Sequence, residues 1–128
     1  MKTLLVAIAC AAAFVCTAAS AQSYKQQRDQ VFCNIMGQDV ALALGDYASG
    51  VPMETSIKRA DDFVCYTSEV GAECDARKDM LRNMIRKTYA RLGPSYGLQN
   101  ADVARIAKAQ DEAKIRITSM CVQIADSR

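Results

Sequence analysis

The chain has no histidine and no tryptophan, and only two prolines and six glycines in 128 residues. Without histidine, the side chain most used for general acid–base catalysis is missing. The commonest nitrogen ligand for zinc is missing with it, and no Cys-x-x-Cys pair takes its place. There is no Gly-x-Ser-x-Gly elbow and no Gly-rich phosphate loop. Asp61 and Asp62 are adjacent, so on a helix they point about 100° apart and cannot share a substrate. An excess of one charge is lacking too. Sixteen Lys and Arg against 14 Asp and Glu leave a formal net charge of +2, which implies no general attraction to nucleic acid. These absences argue against an enzyme, a metal or other cofactor, and a nucleic-acid partner.

The one long apolar run is short for a membrane span. Met1-Lys2-Thr3 carries a single positive charge, residues 4–19 are apolar, and Ala19-Ser20-Ala21 follows. This pattern predicts a secretory signal peptide cleaved after Ala21. A run of about 16 residues falls short of the roughly 20 that a spanning helix needs. Lipidation at Cys10 or Cys16 fits less well: the run before Cys10 is too short, and Val15 before Cys16 is too bulky for that cleavage. Residues 22–128 then form one exported domain, periplasmic or secreted, with no integral membrane segment and room for a modest core.

Apolar spacing predicts four helices. In residues 24–48, Phe32, Met36, Val40, Ala43 and Tyr47 form one stripe, while Val31, Ile35 and Leu42 form a second on another side. Ser49-Gly50-Val51-Pro52 breaks the pattern, and Pro52 suits the first turn of a second helix ending near Tyr66. Residues 67–71 read as a turn. A third helix, 73–92, places Cys74, Leu81, Met84, Ile85, Thr88 and Leu92 on one face, with Gly93-Pro94 as its stop. The last helix, 100–124, takes Asn100 as its N-cap and Leu98 as a contact over its first turn. Val103, Ile106, Gln110, Ala113, Ile117, Met120, Cys121 and Ile124 form its core face, and Ile115 and Val122 lie opposite. The expected fold is an all-α, up-down-up-down bundle of about four helices.

The exported domain keeps Cys33, Cys65, Cys74 and Cys121, an even number that reads as two disulfides. All four fall towards one end of such a bundle. Cys65 and Cys74 flank the turn between the second and third helices, and Cys33 would then tie the first helix to Cys121 on the last. Cys33–Cys65 with Cys74–Cys121 is the rival pairing. No thiol nucleophile remains under either.

Three surfaces could bind a partner. Lys78, Arg82 and Arg86, with Tyr89 beside them, form a row suited to an anionic partner: a lipid headgroup, a cell-wall polymer or an acidic protein face. Val31, Ile35, Leu42, Ile115 and Val122 form a possible contact face, for a protein or a second copy of the chain. Met36, Met53, Met80, Met84 and Met120 could instead line the core of a carrier for a small apolar ligand. The chain also resembles small helical proteins placed in the periplasm of Gram-negative bacteria. The likeness rests on a signal peptide, Cys33 in a first helix, Ala48-Ser49-Gly50-Val51-Pro52, Ile85-Arg86-x-x-Tyr89 and a last helix ending in Cys121. It implies location and fold and carries no active-site residues. The function these observations favour is non-enzymatic binding of another macromolecule, as an inhibitor, immunity-type or chaperone-like protein. Carriage of a small ligand is the alternative.

Overall fold

No proline interrupts the first helix, α1 (Lys2–Ala48), and it ends where Gly50 takes a left-handed φ of 73°. The computed structural model describes residues 25–62, 71 and 74–128 in full, and the backbone alone of 2–24, 63–64 and 72–73. Helix α2 (Met53–Val64) starts after Pro52, α3 covers Ala72–Lys87, and α5 covers Val103–Asp126. Between α3 and α5 the chain stays helical through a π turn (Thr88–Leu92) and a short α4 (Gly93–Tyr96). Among the described residues the fold is all-helical, with four principal helices and no strand.

Contacts along α1 fix the directions. Arg77 stacks on the Phe32 ring, 4.5 Å from its centroid, and Tyr89 meets Tyr47 edge-on at 5.7 Å, so α3 runs parallel to α1. Val51 contacts Tyr89, and Asp61 contacts Arg82, so α2 runs antiparallel to α3. Gln110 reaches Ala41, and Cys121 is bonded to Cys33, so α5 descends antiparallel to α1. The up-down-up-down order is present.

The packing is not that of a closed bundle. α5 lies along α1, α2 and α3 pack on one another and on α1, and α5 makes only slight contact with α3. Two core clusters result. Met36, Ala43, Ile57, Ala60, Leu81 and Ile85 join α1, α2 and α3. Val40, Leu44, Leu98, Ala109 and Ala113 join α1, α5 and the loop before it. Met84 and Ile117 touch both clusters. Leu44, Leu81 and Ile85 are fully buried, each worth roughly 1.5–3 kcal/mol of apolar transfer.

The α1–α5 seam is built from small residues four apart: Cys33, Gly37, Ala41 and Gly45. A Cβ on Gly37 would sit 2.8 Å from the Lys114 carbonyl oxygen, besides meeting Thr118. This closeness lets α5 side chains bond the α1 backbone. Gln110 Nε2 donates to the Ala41 carbonyl (2.9 Å), and Thr118 Oγ1 donates to the Cys33 carbonyl (3.4 Å). The Cys33–Cys121 disulfide, Cα–Cα 5.4 Å, locks the lower end across 88 residues. In the chain-entropy account, closing a loop of that length contributes roughly 4–5 kcal/mol.

Three expectations need correction. Asn100 does not cap the last helix: it has φ 61°, and Asp102 is the N-cap, its carboxylate accepting from Arg105 N (2.7 Å). Asp102 can take an extended backbone and point its oxygen at the first turn, whereas Asn100 turns the loop. Gly93-Pro94 does not stop the third helix. The π turn widens it one turn before Pro94, whose ring would otherwise crowd the carbonyl four residues back. The stop falls at left-handed Gly97. Gly93 instead gives room to Tyr47, since a Cβ there would lie 2.5 Å from the ring. The core face expected for α5 is also only partly covered. Val103 is 84% exposed, Met120 48% and Ile124 54%. Val103 sits at the helix start, and the other two face the side that α3 leaves open. Of the disulfides, Cys33–Cys121 is as expected. Cys74 is buried and disulfide-bonded, while Cys65 lies outside the described residues.

Substitutions in the seam separate a rigid clash from a soft one. Gly37→Ala should lower unfolding stability by about 1–3 kcal/mol, despite the better helix propensity of alanine, because its Cβ meets α5 backbone. Gly45→Ala meets only the flexible Gln110 amide and should cost clearly less. Chemical denaturation of the two variants reads the difference; equal costs would remove the close-approach account.

Candidate binding groove

The gap between α3 and α5 forms an open groove of about 270 Å³, lined by Met84, Lys87, Thr88, Arg91, Leu92, Ser95 and Ile117. Its floor comes from Met84, Leu92 and Ile117, which also pack against the core. The π turn shapes one wall. Thr88 Oγ1 donates to the Met84 carbonyl (2.8 Å), and Ser95 Oγ donates to the Leu92 carbonyl (2.8 Å). These hydroxyls spend their protons on the helix itself, so the wall offers apolar atoms and two cations, Lys87 and Arg91. Met80 precedes Met84 by four residues and shares its face of α3. Met120 and Ile124 follow Ile117 by three and seven on α5. All three are about half exposed, so apolar surface continues from the groove towards the disulfide end.

Within the basic row of the third helix, Arg82 is already engaged by carboxylates. Arg82 grips Asp61 of α2 through Nε (3.1 Å) and Nη2 (2.9 Å) and reaches Asp79 through Nη1 (3.1 Å). The hydrogen bonds and charge of Asp61 hold the guanidinium protonated above its ordinary range. Arg86 contacts Asn83 (3.4 Å) and is exposed, and Lys78 is half-buried. Tyr89 donates to the Val51 carbonyl (2.9 Å) and packs on Tyr47. Burial raises its phenol pKa, the Ser56 hydrogen bond and Arg59 lower it, and Asp46 raises it. Arg82 and Tyr89 therefore fasten helices together.

The contact-face residues lie on the two helices of the seam. Val31 and Leu42 are exposed, and Ile115 is 69% exposed. Ile35 is half-buried, as is Val122, which lines a depression of about 150 Å³ with Gln26, Asp29, Gln30, Ala125 and Asp126. The methionines do not converge on one core cavity. Met36 is buried among core residues and Met53 packs beside them, whereas Met80, Met84 and Met120 follow the groove.

A polar knot joins α1, α2 and α3 on the other side. Asp46 pairs with Arg59, which also faces Asp39. Asp39 Oδ2 is buried without a hydrogen-bond partner. Desolvation pushes its carboxyl up to about 6, opposed by Arg59. Ser56 is buried beside Tyr89. Apart from that Asp39 oxygen, the groups in this knot are engaged with one another. Among the described residues, no three potential ligands gather around a metal position, and no helix is long and apolar enough to cross a membrane.

Sequence reasoning missed the groove. Lys87 and Arg91 were visible as helix charges, but their shared wall depends on the π turn that the helix makes instead of stopping at Gly93. Pro94 within an otherwise helical pattern is the one signal that could have pointed there. No protein-family model, curated protein or solved structure matches the chain.

The knot sets a pH dependence. Asp39 is raised in the folded state above the ordinary carboxylate value, so the folded protein holds this proton more tightly than the unfolded chain. Its contribution to stability is full below about pH 4 and is lost as pH rises through about 6. Asp39→Asn should remove this part of the slope and stabilise the domain at pH 7.5 by about 1–2 kcal/mol, discounted for partial exposure. Denaturation at pH 4, 6 and 7.5 checks it; parallel profiles for wild type and variant would refute the assignment.

Proposed function

We propose that this is a non-enzymatic, exported helical protein that binds another macromolecule, with the α3–α5 groove as its principal contact. The supporting observation is the apolar surface that the fold leaves uncovered on the two facing helices: Ile117 on the groove floor, Met120 and Ile124 beyond it on α5, and Met80 on α3. Apolar surface concentrated in one groove carries a cost in water unless a partner covers it. The groove is open, and its volume falls below the range usual for sites that bury a small ligand. That favours a protein partner over the carrier reading.

Export through a signal peptide over residues 1–21, to the periplasm or outside the cell, belongs to the same proposal. So does a second disulfide between Cys74, which is disulfide-bonded, and Cys65; non-reducing peptide mapping reads it, and a Cys65 peptide found alone would remove it. The outer face with Val31, Leu42 and Ile115 is proposed as a lesser contact, for a second copy of the chain.

Photo-crosslinking in the exporting cell tests the reading. A crosslinking amino acid at Met120 should give a higher-mass adduct, and one at exposed Lys58 on α2 should give none. An adduct from Ile115 at twice the chain mass would mark the second copy. Absence of any adduct from Met120 and Ile115 would end the proposal of a macromolecular partner.

A further inference from the structure

We infer that the α3–α5 groove receives an amphipathic α-helix of another protein, one whose apolar stripe is bordered by acidic residues. This rests on the reading above and specifies the partner's chemistry. The first argument is shape. α3, the π turn and α4 form one wall from Met84 to Ser95, and Ile117 of α5 lies opposite. Eleven steps at helical rise span about 16 Å, the length of about three turns of a docked helix. α1 lies beneath, and both walls pack on it while barely touching each other. A helix laid there would contact Met84, Leu92 and Ile117 through side chains three and four apart.

The second argument is charge. Both ionisable residues lining the groove are cationic, Lys87 and Arg91, and no acidic side chain lines it. Neither cation has an ion-pair partner among the described residues. An apolar partner without acids would strip water from both cations and return nothing. A basic partner would add repulsion. Glu or Asp along the edge of the incoming stripe would meet Lys87 and Arg91 while its apolar residues reach the floor. The third argument is the side chains around the apolar floor. Met80, Met84 and Met120 are unbranched and polarisable, so they can reshape around differing apolar side chains.

Selection from a displayed library of amphipathic helical peptides, with flanking positions randomised over acidic, basic and neutral residues, tests the inference. The full exported domain is the target, beside a Lys87→Glu/Arg91→Glu variant whose fold is checked by circular dichroism. Wild type should enrich acidic peptides, and the variant should enrich basic ones. A selected acidic peptide should bind the variant about tenfold or more weakly. Ile117→Asp should abolish binding of both kinds. Enrichment without charge preference, the same preference in both targets, or no enrichment would each overturn the inference. So would stoichiometric binding of decanoate that displaces the selected peptides, because the groove would then be a small-anion site. Failure here with an adduct still formed from Met120 or Ile115 in the cell would sink the acidic helix and leave macromolecular binding standing.

Discussion

Gly37 brings the backbone of α1 against the Lys114 carbonyl of α5, and the placement of the last helix follows from that approach. A side chain at position 37 would hold the helices apart. The Gln110 amide would then fall short of the Ala41 carbonyl, and Thr118 short of the Cys33 carbonyl. The Cys33–Cys121 bond fixes the lower end of the same seam. These three devices act in one direction, drawing α5 onto α1. No comparable set draws α5 onto α3, where the meeting is left to Met84 and Ile117. An α-helical pair sealed by small residues and a covalent bond can tolerate an open third side, because its stability does not depend on closing the ring.

α2 and α3 are held by different physics. Arg82 brackets Asp61 across the helix pair, Tyr89 reaches over to Val51, and Asp46 pairs with Arg59. Exposed ion pairs add little to stability, but a bidentate guanidinium–carboxylate pair fixes orientation. Asp39 works the other way. Its buried oxygen without a partner makes the ionised form costly. The α1–α2–α3 side therefore adds ion pairs and a pH-sensitive carboxyl to its apolar core, whereas the α1–α5 seam is covalent and close-packed.

Much of the architecture was legible from spacing. The stripe Met36, Val40 and Ala43 is buried, the helix order follows, and the Cys33–Cys121 pairing is the one favoured over its rival because Cys65 and Cys74 flank a single turn. What spacing could not show is which partner each face meets. Gly37 and Gly45 look like neutral interruptions in a helix until the α5 backbone is seen beside the first and the Gln110 side chain beside the second. Met120 and Ile124 have core spacing but no covering helix, since periodicity reports a face and not its occupant. Arg82 reads as one cation of a surface row; only the fold supplies Asp61, 21 residues earlier in the chain.

The same limit explains the candidate site. A Gly-Pro pair at the end of an amphipathic run is ordinarily a stop, and a helix ending at Leu92 would leave Arg91 on a frayed end and Ser95 in a loop. The π turn absorbs Pro94 instead, so the helix continues one turn further. That extension keeps Lys87, Arg91 and Ser95 along one wall facing Ile117. Gly93 is what permits it, because the continued helix presses against the Tyr47 ring at a point where no Cβ fits. The groove is thus a consequence of two local exceptions. α5 stays on α1 because of Gly37, and the third helix passes through its own expected stop because Gly93 and the widened turn make room for it.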